Sequence, residues 1–270
     1  MIELTFLFWL FLIGILVATF QDLKRREVDN WLNLLLILIS LSYVFYKALY
    51  EKNPEIILLT GFIIAIMFVI MNIFYYGRVF GGGDAGLLFA MSAFFIGVEF
   101  IESATNIGIF ILFLMVSGSI YGTIYSSILY IKNREKVNKE IKKGIKKHKK
   151  ILLAIPIISV AFYFLSNSLI FKLLSIIIFI SPLLYIFAKG LENISMTKTI
   201  SGKDLREGDW LADKERIGKK VINYSWEGLS KEEVRLLSKK KKVKIKEGLP
   251  FVPAFLMAFI LYALLRTLFN

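Results

Sequence analysis

Long apolar runs separated by short polar breaks dominate the chain, at about residues 4–20, 31–50, 56–76, 85–98, 105–131, 151–166, 169–188 and 249–268. A helix needs about 20 residues to cross the hydrocarbon of a bilayer, and most of these runs approach or meet that length. The pattern predicts an all-α polytopic membrane protein of about eight transmembrane helices, with six to eight fitting the runs. The run at 85–98 is too short by itself and must take residues from its N-terminal flank, Gly81-Gly82-Gly83-Asp84. That draws Asp84 to the edge of the hydrocarbon or into it, and the same argument carries the first helix on through Gln21 and Asp22. Spans are therefore expected at about 4–22, 31–50, 56–76, 80–98, 105–131, 151–166 and 169–188, making residues 1–188 one transmembrane region, with a last span in 249–270. The stretch 151–188 is an apolar block broken at Ser166-Asn167-Ser168; it fits a two-helix hairpin with both ends on one side, a re-entrant segment being the alternative.

Residues 189–248 interrupt this pattern as a small basic domain before the last helix. Ser230-Lys231-Glu232-Glu233 predicts a capping box with Ser230 as N-cap and Glu233 at N3, and Leu229 and Val234 stand where a hydrophobic staple closes. Val234, Leu236 and Leu237 give the following helix an apolar side. Val243, Ile245 and Leu249 alternate with Lys244, Lys246 and Gly248 as a strand does.

Composition sharpens the class. Of the 270 residues 57% are hydrophobic, more than one soluble core of that size hides. The formal net charge is nevertheless +13. With eight spans and the N-terminus outside, the inner loops 21–30, 77–84, 132–150 and 189–248 hold 30 of the 34 Lys and Arg. That bias sets the orientation, and it makes the charge one that faces an anionic lipid leaflet, with no nucleic acid as partner. Positive charge follows the first apolar run, so no cleavable signal peptide is expected. There is no cysteine and one histidine, His148, inside a lysine run where a solvated loop role is expected. Disulfides, thiol nucleophiles, Cys–zinc sites and a Ser–His triad drop out, and neither metal nor cofactor is called for.

Charged groups in the membrane are costly enough that each is a functional candidate. Asp22 ends the first helix and Asp84 begins the fourth, and the Lys/Arg bias puts both on the cytoplasmic side. Two carboxylates at one depth cannot both ionise cheaply, so they share a proton and titrate as a unit. One member can then take a proton from water while the other protonates a scissile carbonyl, as aspartic proteases do. Gly81, Gly82 and Gly83 lack Cβ atoms and would let an extended peptide reach the carboxylate and pair with the backbone there. Plainer roles compete: Asp22 pairing with Arg25 or Arg26, Asp84 as an N-cap, and a flexible turn at the glycines. Asp29 is expected to cap the second span, Lys239 to Lys242 to be a solvated or lipid-facing run, and Glu99 and Glu102 to be ordinary outer-loop residues.

These residues resemble a known family. Gly81-Gly82-Gly83-Asp84 is a GxGD motif, and Asp22 followed by Arg25, Arg26 and Val28-Asp29-Asn30 is similar to the first-aspartate segment of type IV prepilin peptidases, which often carry proline where Asp29 stands. Gly248-Leu249-Pro250-Phe251-Val252-Pro253-Ala254 resembles the approach to the last helix of archaeal preflagellin and prepilin peptidases. The stretch from Gly208-Asp209-Trp210-Leu211 to Gly228-Leu229-Ser230 resembles the domain before it; residues 105–188 match by hydropathy alone. The resemblance implies a membrane aspartyl endopeptidase with Asp22 and Asp84 as catalytic pair. Without the cysteines of many bacterial members, it implies cleavage of archaeal prepilin or preflagellin precursors without methylation. A signal-peptide-peptidase-like protease cutting within spans, and an ion transporter built on the Gly-rich broken helix, are the alternatives.

Overall fold

Hydrocarbon offers no water to backbone N–H and C=O groups, so each apolar run satisfies them within itself as a helix. In the computed structural model, which describes residues 2–165, 168–217, 220–223, 225 and 228–269, these are α1 (Ile2–Arg25), α2 (Asn30–Tyr50), α3 (Glu55–Tyr76), α4 (Gly82–Ala90), α5 (Phe100–Lys147), α6 (Lys149–Leu165), α7 (Leu169–Ser195) and α9 (Val252–Phe269). Helices α1, α2, α3, α5 and α7 are long and apolar enough to cross a membrane. Phe20, Leu38, Leu58, Phe62 and Ile73 are exposed along α1 to α3, apolar surface of the kind that lipid covers. The chain is a polytopic helical membrane protein.

Residues 1–123 and 249–270 form one compact unit, residues 124–248 a second. The first unit is built around α4, which continues as a 3-10 turn over Met91–Phe95. Together they rise about 24 Å, short of the roughly 30 Å of hydrocarbon, and stop at Phe95 rather than at the expected 98. This is tolerated because the turn is enclosed by protein: all five of its residues are buried. Phe94 packs on Phe11, Phe259 and Tyr262, and Phe95 on Phe110, with ring centroids 4.9–5.7 Å apart. The chain then turns into α5 on side-chain acceptors. Ser103 Oγ accepts the Gly97 N–H at 2.8 Å and Glu102 Oε2 the Val98 N–H at 2.7 Å, while Asn106 donates to the Phe95 carbonyl. Glu102 also pairs with Arg266 at 3.3 Å, so it closes this end of the unit and is no plain loop residue.

In the second unit α5 runs on to Lys147, bent at Asn133 (φ −122°, ψ 21°), where a loop over 132–150 was expected. Its lysines and glutamates are good helix formers, and Val137 is fully buried. Helix α7 likewise extends seven residues past the expected 188 and packs there on α5 through glycines: a Cβ on Gly144 would lie 3.0 Å from Ile186, one on Gly190 3.0 Å from Ile141. His148 sits at the α5–α6 junction, its ring edge-on to Tyr185. Helices α6 and α7 pair as a hairpin, Ser159 Oγ donating to the Ser175 carbonyl at 2.9 Å; of the break between them, Ser166 and Asn167 lie outside the described residues. A small β region of two sheets follows. Strands β1 (Thr197–Ile200) and β2 (Trp210–Leu211) both pair antiparallel with β5 (Val243–Lys246), and β3 (Glu215–Ile217) pairs with β4 (Lys220–Ile222). Val243 and Ile245 face its core as their alternation requires. The capping box of α8 (Lys231–Leu237) forms: Ser230 Oγ accepts the Glu233 N–H and Glu233 accepts the Ser230 N–H.

Candidate active site

Asp22 lies in the last turn of α1 and is 4% exposed. The helix ends three residues later. Arg26 adopts a left-handed φ of 59° and its N–H returns to the Asp22 carbonyl at 2.8 Å, a helix stop that ordinarily selects glycine. The carboxylate is met by the start of α9: the Val252 N–H donates to Asp22 Oδ2 at 2.9 Å, the Phe251 N–H faces it as well, and the Arg26 charge acts on it.

Asp84 is the third residue of α4, half-buried, and does not occupy the N-cap. That position belongs to Gly81, which is extended (φ −69°, ψ 167°). The carboxylate reaches back to the Gly81 N–H, the move an acidic residue makes at this place in a capping box. Asp22 and Asp84 stand near enough for the charge of one to act on the other.

The three glycines have different surroundings. Helix α4 begins at Gly82, so of the three only Gly81 has an extended backbone. Gly81 and Gly82 are exposed; a Cβ on Gly81 would meet only Asp84 Oδ2 at 3.7 Å, and one on Gly82 only the Tyr75 ring at 3.8 Å. Gly83 is pressed on the protein itself. A Cβ there would lie 3.1 Å from both the N and the O of Val28. The turn after Asp22 and the turn before Asp84 thus touch backbone to backbone, and a missing side chain permits it.

Two further polar residues hold these turns. Asn33, buried in α2, donates from Nδ2 to the Gly83 carbonyl at 3.0 Å and lies so close that a Cβ on Gly86 would come within 2.7 Å of it. Its Oδ1 is buried without a partner. Asp29 stands at the N-cap of α2 but makes no side-chain cap. Its carboxylate turns back, accepting from Gln21 Nε2 (3.1 Å), Arg25 (2.6 Å) and Trp31 Nε1 (3.0 Å), while Gln21 Oε1 accepts the Asp29 N–H. The expected cap is replaced by a clasp across residues 21–31. Three donors, one of them cationic, outweigh what a single backbone N–H provides.

Among the described residues no group of three or more acidic or histidine side chains is gathered to ligate a metal ion. What the arrangement offers is a pair of carboxylates under mutual influence, one well buried and anchored, the other beside an exposed, side-chain-free edge. Residues 9–127 match the type IV leader peptidase family. Over that stretch, 119 of the 270 residues, the chain is similar to this family. No curated protein and no solved structure matches it.

The leader peptidase match indicates a protease, and it spans Asp22, Asn33 and Asp84 together with most of α1 and the whole of α2 to α4. The leader peptidase segment does not include α9, yet α9 supplies the donors at Asp22. Sequence reasoning missed Asn33 and Val252. An amide in an otherwise apolar span was a signal for the first; the second is a backbone group and left none.

Proposed function

We propose that this protein is an aspartyl endopeptidase of the prepilin-peptidase kind, with Asp22 and Asp84 as its catalytic pair. Its substrates are archaeal prepilin or preflagellin precursors, whose short basic class III signal peptides it removes at the cytoplasmic membrane border, just before the precursor's hydrophobic helix. The observation that carries the proposal is the meeting of the end of α1 with the start of α4, which leaves the Asp22 charge acting on Asp84 inside the segment matched by the leader peptidase family. A water between the two would lose a proton to one carboxylate while the other protonates the scissile carbonyl. The exposed backbone at Gly81 and Gly82 suits an extended peptide. The orientation that supports this role has the N-terminus outside, as the Lys and Arg distribution demands.

The test is to incubate membranes carrying the protein with candidate precursors and sequence the N-termini of the products. A cut on the N-terminal side of the hydrophobic stretch is expected. A cut within that stretch overturns the proposal in favour of a signal-peptide-peptidase-like enzyme. Ion flux in proteoliposomes without any cleavage overturns it in favour of a transporter.

A further inference from the structure

The first turn of α9 touches both halves of the candidate site. Its N–H groups from Phe251 and Val252 face the Asp22 carboxylate, the Val252 bond being 2.9 Å long and buried. Its Phe251 ring packs on Phe80, the residue immediately before the glycines, with centroids 5.3 Å apart. Phe255, one turn on, packs on Phe80 at 5.6 Å, and Phe74 closes the other side at 4.9 Å. The turn is itself anchored on α5, where Gly118 leaves room for the Phe251 ring: a Cβ there would lie 2.6 Å from Cζ. Val252 is fully buried.

The order of residues in this turn leaves its donors free for a carboxylate. Val252 is the first helical residue, so its N–H has no intrahelical acceptor. Pro253 has no N–H, and the Ala254 N–H is taken by the Phe251 carbonyl at 2.9 Å. What remains points to Asp22. A backbone N–H on a carboxylate is a charge-assisted bond held by a rigid element, and here the positive end of a helix dipole lies behind it.

Resting on Asp22 and Asp84 as the catalytic pair, we propose that the first turn of the last helix positions that pair. The Val252 N–H fixes the Asp22 carboxylate, and the Phe251 ring sets the Phe80 segment that leads to Asp84 against the same turn. Val252 and Phe251 are positioning residues: they act through the aspartates and not on the substrate.

Val252→Pro tests this, because proline is favoured at the first position of a helix, resembles valine in size and removes only the N–H. The variant is expected to keep its thermal midpoint and its KM within about threefold while kcat falls about 10- to 100-fold, the worth of a bond to a charged group. Val252→Ala keeps the N–H and should retain at least about tenfold more kcat than Val252→Pro. Equal losses in the two variants, or a near-normal kcat for Val252→Pro, overturn the proposal. Should Val252→Pro not fold, selective 15N-valine labelling decides. The Val252 amide proton of the full chain should resonate downfield and move upfield in Asp22→Asn, and an unchanged shift overturns the proposal. That readout needs no activity. An Asp22→Asn protein that cleaves normally would sink the catalytic pair while leaving the amide contact measurable.

Discussion

At the scale of single residues, burial and donors separate side chains that look alike in the sequence. Asp22, Asp29 and Asp84 all stand at helix ends. Asp29 is drawn into three side-chain bonds with Gln21 and Arg25 of α1 and Trp31 of α2, Asp22 is closed over by α9, and Asp84 keeps an edge open at Gly81. If the outer two are the catalytic pair, Asp22→Asn and Asp84→Asn each lower kcat by more than about 10³-fold, since neither residue can perform the other's half of the proton transfer. Circular dichroism should report an intact helical protein in both, and full turnover in either would dissolve the pair.

The glycines divide in the same way. Gly83→Ala must push its Cβ into the Val28 backbone at 3.1 Å, a clash worth about 1–3 kcal/mol of stability, so its melting temperature should fall. Gly81→Ala and Gly82→Ala meet nothing closer than 3.7 Å and should melt as the wild type does. If Gly81 and Gly82 form the substrate edge, those two variants nevertheless raise KM. A normal KM in both leaves no substrate role for these glycines.

At the scale of elements, the short α4 is the costly piece. Its continuation ends inside the unit at Phe95, whose carbonyl is taken by Asn106, and the Gly97 and Val98 N–H groups that follow are taken by Ser103 and Glu102 at the head of α5. Glu102→Ala would free the Val98 N–H and leave Arg266 without its carboxylate, at the end of α9 far from Val252. Differential scanning fluorimetry in detergent should show a fall of several degrees, while kcat/KM of the folded fraction stays within about twofold, as expected of sites that share no partners. A loss of activity with unchanged melting would mean that the two ends of α4 communicate.

At the scale of the whole molecule, charge and hydrophobicity pull substrate recognition in opposite directions. The chain carries a net charge of +13, its Lys and Arg concentrated in segments between the apolar runs that the proposal places at the cytoplasmic face, and the leader peptides proposed as substrates are basic. Attraction between them cannot supply affinity; repulsion opposes it. Binding should come from the substrate's own apolar helix lying among the spans. Raising ionic strength is then expected to leave cleavage unchanged or to improve it modestly, because screening weakens repulsion, and truncating the substrate's hydrophobic helix should remove most of the binding. A steep loss with salt, together with efficient cutting of a soluble leader peptide, would mean that recognition is electrostatic.

Local rules of length and hydropathy were sufficient to read the second and third helices to within a residue, the capping box at Ser230 and Glu233, and the strand alternation at Val243 and Ile245, because each depends on residues adjacent along the chain. They also marked Asp22 and Asp84, since an acid at the edge of an apolar run is conspicuous without any tertiary information. What tertiary structure alone decided involves partners far apart in sequence or groups without a side-chain signature. The Val252 N–H reaching Asp22 spans 230 residues. The role of Gly83 depends on Val28, the extension of α5 past Asn133 depends on α7 lying beside it, and the task of Glu102 depends on where Arg266 and a truncated α4 come to rest. A sequence states which groups are expensive to bury; only the packed chain determines what each of them is buried against.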